Sequence, residues 1–183
     1  SRSTFYGYDE NGRLVTTTFQ DGTVNRIEYD ARGLIEREII AEGSPDQTIT
    51  SYVYDLAGRE KQRTVGAGTP EASTITTAYD GMGRVSETED ARGFKTEFAY
   101  DKAGRLTLTT YADNTTVSMA YDRFGQMVSQ TDQTGATSYY EYDYVGRLIK
   151  TTDALGQEIS QTWTSFGDLE SVTDQRGNIT SYL

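Results

Sequence analysis

The 183-residue sequence predicts an all-β fold: tandem antiparallel β-hairpins that add to one another as a curved, spiralling sheet. Three observations carry that expectation. A short phrase, Tyr-Asp-x-x-Gly and usually Arg, recurs every 21 or 25 residues. Between its copies lie runs of about six residues rich in Thr, Val, Ile and aromatic side chains, which is strand composition. Gly with Asp or Asn bounds those runs, as hairpin turns require. Runs so short and so β-branched disfavour helices. A fixed period makes the chain an array of one supersecondary unit rather than a domain of unrelated elements.

Five copies keep the whole phrase: Tyr8, Asp9, Gly12 and Arg13; Tyr54, Asp55, Gly58 and Arg59; Tyr79, Asp80, Gly83 and Arg84; Tyr100, Asp101, Gly104 and Arg105; Tyr142, Asp143, Gly146 and Arg147. Three are looser. Tyr29, Asp30 and Gly33 are followed by Leu34, and Tyr121, Asp122 and Gly125 by Gln126. Trp163 and Gly167 flank Thr164 in the Asp position, and Asp168 stands in the Arg position. The expected organisation is a single array over residues 1–183, an excerpt of a longer one, with about eight units starting near 8, 29, 54, 79, 100, 121, 142 and 163.

The spacing has a mechanism. Asp at the first position of a type I turn accepts hydrogen bonds from the backbone ahead of it, and Gly at the fourth takes positive φ. That is the three-residue hairpin with a bulge. It sets Arg13 opposite Asp9 and pairs Tyr8 with Leu14, Tyr29 with Ile35, Tyr79 with Val85 and Tyr100 with Leu106. It likewise pairs Tyr121 with Met127, Tyr142 with Leu148, Trp163 with Leu169 and, as the exception to aromatic on aliphatic, Tyr54 with Glu60. Alternation extends the apolar face backward through Tyr6, Ile27, Tyr52, Thr77, Phe98, Met119, Tyr140 and Gln161, while the intervening positions are small or polar. One face of the sheet therefore seeks cover and the other meets water. Sixteen short strands in one layer tend to curl, and winding the ribbon on itself is the simplest way to cover the apolar face.

The far turns vary. Asp90-Ala91-Arg92-Gly93, Asp132-Gln133-Thr134-Gly135, Asp153-Ala154-Leu155-Gly156 and Asp174-Gln175-Arg176-Gly177 repeat the same device. Asp21-Gly22 and Asp113-Asn114 read as two-residue turns. Four extra residues at Gly43-Ser44-Pro45-Asp46 and around Gly66-Ala67-Gly68-Thr69-Pro70 read as spacer loops along one edge, in preference to partner-binding loops.

Composition excludes several function classes. A formal charge of −11 with arginines spread one per repeat opposes nucleic-acid binding. No run approaches the roughly 18 apolar residues of a membrane helix, and the alternate face is too polar for a lipid-facing barrel, so no membrane insertion is expected. With no His and no Cys, the usual general base, the commonest zinc ligand and disulfides are all missing. The recurring Asp residues all occupy one turn position, whereas a catalytic pair should be unique. No catalytic, cofactor-binding or metal-binding residue is therefore assigned, and the chain is expected not to be an enzyme. The arginines have two candidate partners, the turn Asp or the ring of a neighbouring Tyr.

The Tyr-Asp-x-x-Gly-Arg-Leu phrase at about 21 residues resembles the Rhs, or YD-repeat, family over nearly the whole chain. The resemblance implies a spiral of β-hairpins forming a hollow shell, as in Rhs and polymorphic toxins, wall-associated proteins, insecticidal toxin complexes and teneurins. In the toxins such a shell encloses a cytotoxic C-terminal domain. The implied function is a non-enzymatic segment of a β-shell that encapsulates or presents a toxin or effector in a large secreted or cell-surface protein, most readily bacterial. Its partners would be further repeats or the cargo, with edge-to-edge self-association of the fragment as a further expectation. The alternative is an adhesion or carbohydrate-binding surface, in which tyrosine rows stack sugars instead of filling the repeat core.

Overall fold

The structure is a computed structural model that describes residues 3–182. All its regular elements are strands, and every strand pairing described is antiparallel. The chain divides into two compact units between Lys95 and Thr96. In the first lie β1 (Phe5–Tyr8), β2 (Leu14–Thr18), β3 (Val24–Tyr29), β4 (Ile35–Ile40), β5 (Thr48–Tyr54), β6 (Glu60–Val65), β7 (Ser73–Tyr79) and β8 (Val85–Glu89). Each pairs with the next along the chain. In the second, β9 (Lys95–Tyr100), which begins at the boundary, is followed by β10 (Leu106–Thr110), β11 (Thr116–Tyr121), β12 (Met127–Thr131) and β13 (Thr137–Tyr142). β14 (Leu148–Thr152), β15 (Glu158–Trp163), β16 (Leu169–Thr173) and β17 (Ile179–Ser181) complete it. Neighbours in sequence are again neighbours in the ladder. Among the described residues there are thus 17 strands rather than the expected 16, because the last far turn is followed by the three-residue β17.

The turn chemistry sets the register. Tyr8 faces Leu14, Tyr29 Ile35, Tyr54 Glu60, Tyr79 Val85, Tyr100 Leu106, Tyr121 Met127, Tyr142 Leu148 and Trp163 Leu169. At Asp9 the amide donates to the Arg13 carbonyl (2.9 Å) and Gly12 donates to the Asp9 carbonyl (3.0 Å). The Asp9 Oδ1 then accepts from the amides of Asn11 and Arg13, each at 2.9 Å. The same pair of backbone bonds closes 14 hairpin turns. Two of these correct the expectation for Asp21-Gly22 and Asp113-Asn114. Neither is a two-residue turn: Phe19 and Tyr111 take the first position, and Gly22 and Asn114 the fourth, with φ of 86° and 65°. Asp21 and Asp113 sit third in the turn and cap the amides of Thr23 and Thr115 from there.

A further device escapes the sequence pattern. In each of the eight near hairpins the ladder slips by one residue immediately beyond the Tyr pair. The unpaired residues are Val15, Glu36, Lys61, Ser86, Thr107, Val128, Ile149 and Glu170. Such bulges bend the strand and raise its local twist. They also choose which residue of the return strand shares the Tyr face: Thr17 opposes Tyr6, Thr109 opposes Phe98 and Thr151 opposes Tyr140.

The two faces differ as alternation requires. The Tyr face carries the aromatic and aliphatic residues. The other is rich in Thr and charge, with cross-strand pairs such as Lys150 to Glu141 at 2.6 Å, Arg37 to Glu28 at 3.1 Å and Thr131 to Thr137 at 2.9 Å. Burial is nonetheless thin. Among the described residues just Ile39 and Thr109 fall to 6% exposure. The array is held by its strand ladders and by contacts along the sheet, not by a thick core.

The φ of +87° at Gly104 gives a direct test of the turn. Gly104→Val should destabilise the second unit by about 1–2 kcal/mol, because a side chain is strained in the left-handed region. Lys102→Ala, at an exposed turn position of the same hairpin, should stay within about 0.5 kcal/mol of wild type. Equal shifts in the urea midpoint would show that the positive φ is not what the glycine supplies.

Candidate functional site

The recurring phrase builds a joint between consecutive repeats. It begins inside one turn: Nε of Arg13 donates to Asp9 Oδ2 at 2.7 Å, and the same bond forms at Arg59 and Asp55 (2.7 Å), Arg84 and Asp80 (2.7 Å), Arg105 and Asp101 (2.6 Å), and Arg147 and Asp143 (2.7 Å). Each Asp thus uses one oxygen for the turn amides and the other for the guanidinium. At Arg13, Arg59, Arg105 and Arg147 the guanidinium then lies over the aromatic ring of the following repeat. Its central carbon is 4.5 Å from the Tyr29 ring centre at Arg13, 4.4 Å from Tyr79 at Arg59 and 4.7 Å from Tyr121 at Arg105. At Arg147 it is 5.7 Å from Trp163. The two partners left open by the sequence are therefore engaged by one side chain at once.

Two further bonds complete the joint. Nη1 of Arg105 donates to the Asp122 carbonyl (3.1 Å) and Nη1 of Arg147 to the Thr164 carbonyl (2.9 Å), so the arginine also holds the next turn. In return the next aromatic residue reaches back. The Tyr29 hydroxyl donates to the Leu14 carbonyl (2.9 Å), Tyr79 to Glu60 (2.8 Å), Tyr121 to Leu106 (3.0 Å) and Tyr142 to Met127 (3.0 Å). Trp163 substitutes its indole N–H toward Leu148 (2.8 Å). That exchange explains why the one non-tyrosine copy is tryptophan, the other aromatic residue with a donor at its far end. Cover from the preceding repeat matters: Tyr8, which no arginine covers among the described residues, is 61% exposed.

The electrostatics follow the geometry. The backbone N–H of the residue four ahead, followed by the arginine side chain and the turn amide two residues ahead, holds the carboxyls of Asp9, Asp30, Asp55, Asp80 and Asp101 below their usual 3.8. Desolvation acts the other way and is outweighed. Elsewhere on the Tyr face, desolvation first and then a 2.7 Å hydrogen bond to Glu38 push the Tyr52 hydroxyl up to about 12. Among the described residues no group of three or more His, Cys, Asp or Glu side chains is placed to hold a metal ion. Nor, among those residues, is any helix long and apolar enough to cross a membrane. The described geometry of the recurring phrase joins one repeat to the next.

The loose copies show how the joint tolerates change. Where Leu34 replaces arginine, Arg32 serves from inside the turn, with Nε 3.0 Å from Asp30 Oδ2 and Nη1 2.6 Å from the Asp55 carbonyl. Where Thr164 replaces Asp, its hydroxyl still caps the amides of Phe166 (3.3 Å) and Asp168 (3.1 Å), and Asp168 takes the arginine position. Gln126 is taken up below. Sequence reasoning could not have found Arg32, since it lies at a turn position that carries Asn, Ala, Met, Phe or Val in other copies.

This geometry defines a class, the tandem β-hairpin arrays whose repeats are clasped head to tail. Within that class direct comparison finds a likeness: the RHS Repeat family model matches residues 79–116, 100–137 and 121–158, each match opening on the Tyr of one phrase. Residues 79–158 therefore match RHS repeats. A search of curated proteins finds no match. Among solved structures, the crystal structures of TcdB2-TccC3-Cdc42 and TcdB2-TccC3 align over 93% of this chain with TM-scores of 0.55 and 0.53, at 15% and 17% identity. A Photorhabdus luminescens Tc holotoxin pore containing TccC3 aligns over 93% at a TM-score of 0.54 and 16% identity. The likeness is one of fold. This chain spans 11–12% of the length of those chains.

Two measurements test the joint. Arg105→Ala should destabilise the second unit by about 1–2 kcal/mol, a value reduced for the partial exposure of the pair. Arg105→Lys should recover less than half, because an ammonium cannot both fork to Asp101 and the Asp122 carbonyl and lie flat on Tyr121. Full recovery by lysine in chemical denaturation would reduce the clasp to a simple charge pair. The depressed carboxyls also set the acid limit. Their contribution is complete above the unfolded value near 3.8 and is lost as pH falls through the lower folded values. The denaturant midpoint should therefore drop below about pH 4, and Asp55→Asn, which keeps the turn acceptor but does not titrate, should flatten that drop.

Proposed function

We propose that this chain is a non-enzymatic wall segment of a β-shell that encapsulates or presents a C-terminal toxin or effector within a large secreted or cell-surface bacterial protein. The observation that supports it best is where the reactive-looking side chains go. In the copies of Arg13, Arg59, Arg105 and Arg147, Asp, Arg and the next aromatic residue are used in joining one repeat to another. A surface built this way extends by repetition and offers a continuous wall with one apolar and one polar face. The fold shared with TccC3-containing toxin structures supports a toxin context. A single continuous array over residues 1–183, extended by further repeats of the parent protein, is part of the same reading.

Limited proteolysis of the full-length parent protein tests it. A segment C-terminal to the repeats should stay intact at protease levels that digest the same segment expressed alone, and should become sensitive when paired Arg59→Ala and Arg105→Ala changes open the wall. A cargo equally sensitive in both settings would remove the encapsulation reading.

A further inference from the structure

The arginine joints show what a guanidinium site looks like in this fold: a turn carboxylate at 2.6–2.7 Å on one side and the face of the next aromatic ring 4.4–5.7 Å away. The three loose copies treat that site differently. At Thr164 and Asp168 both the carboxylate and the arginine of the phrase are replaced. At Asp30 the carboxylate stays and Arg32 supplies the guanidinium. In the Tyr121 copy the carboxylate stays and no guanidinium comes. Asp122 Oδ1 caps the amides of Phe124 (2.8 Å) and Gln126 (3.0 Å), while Arg123 turns away to lie 4.5 Å over the Phe124 ring. Among the described residues, no cation pairs with the Asp122 carboxylate, Arg105 reaching only its carbonyl, and none lies over Tyr142. Gln126 sends its Nε2 toward Gly146, 3.1 Å from where a Cβ would stand, much as Nη1 of Arg13 and Arg59 approach Gly33 and Gly83 at 2.9 Å. The amide follows the arginine path without bringing its charge.

An open groove of about 750 Å³ lies at this joint, its lining including Asp122, Phe124, Tyr140, Tyr142 and Tyr144. We propose that it receives an arginine side chain from a partner polypeptide. The guanidinium stacks on Tyr142 and pairs with Asp122 Oδ2, reproducing in trans the contact that Arg105 makes to Tyr121 and Asp101. Guanidinium is favoured over ammonium because a flat ring beside a carboxylate matches its plane and fork. A polypeptide is favoured over a small free cation because two large rings flank the groove: Phe124 and Tyr144 stand 73% and 97% exposed at adjacent turn tips, placed to meet side chains beside the arginine, in a lining that also holds Arg123, Glu141 and Asp143. The chain's charge of −11 draws such a partner in. The receptor stands whether or not the array encloses a cargo.

The test is a titration of the isotope-labelled 183-residue chain with two blocked peptides, leucine-arginine-leucine and leucine-lysine-leucine, followed by amide chemical shifts. Shifts should cluster in residues 122–128 and 140–146, with the arginine peptide bound about fivefold or more tightly than the lysine peptide. Asp122→Asn, which retains the turn acceptor, should weaken binding about tenfold. Gln126→Arg should abolish binding while thermal stability is held or raised, since the new arginine fills the socket from within. Undiminished binding to the Gln126→Arg chain, equal affinity for the two peptides, shifts outside these turns, or groove shifts produced by a neutral oligosaccharide and not by the arginine peptide would each overturn the proposal.

Discussion

Everything regular in this chain depends on one guanidinium held between two repeats. In the phrases of Arg13, Arg59, Arg105 and Arg147 the arginine is anchored by its own turn Asp and laid over the following aromatic ring, so a contact within a hairpin becomes a contact between hairpins. Neither half would suffice alone. An Asp–Arg pair at this exposure contributes little, and a ring on a single-layer sheet would otherwise lie open to water, as Tyr8 does. Sharing one arginine between the two gives a chain with almost no buried core a set of directional contacts. The reciprocal bond from the tyrosine hydroxyl to the carbonyl just past that arginine closes the loop.

The hairpins were legible because their causes are local. Asp capping two amides and glycine at positive φ are properties of a four-residue window, and that window also determines that Tyr121 faces Met127 and Trp163 faces Leu169. The bulge was not legible, for an equally physical reason. Its residues include Val15, Lys61, Ser86 and Glu170, which share no chemistry, because a slipped position asks nothing of its side chain. The turns at Phe19 and Tyr111 were misread for a related reason. The backbone closes the same turn without a capping Asp at its first position, so the Asp-Gly and Asp-Asn pairs marked the turn but not its phase.

The joint was half legible. Two partners for each arginine were visible in the sequence, but the fact that one side chain takes both depends on the inter-repeat distance. Substitutes were hidden more deeply. Arg32 restores a missing guanidinium from two residues away, whereas Gln126 does not, and no pattern within a single copy separates the two cases. The exposed aromatic tips at Phe124, Tyr144 and Phe166 belong to the same blind spot, since turn positions are ordinarily read as solvent-facing and silent.

The clasp also has a grammar. Each joint has a giver, the Asp and Arg of one hairpin, and a receiver, the ring and turn carbonyl of the next. Because giver and receiver are carried by every full unit, removing or duplicating one whole unit leaves a giver facing a receiver, whereas removing part of one leaves a charge without a ring. Length in such an architecture is free to change in whole steps and resists change in fractions. The same asymmetry makes the array a polar filament in miniature: it reads from one end to the other and cannot be reversed hairpin by hairpin.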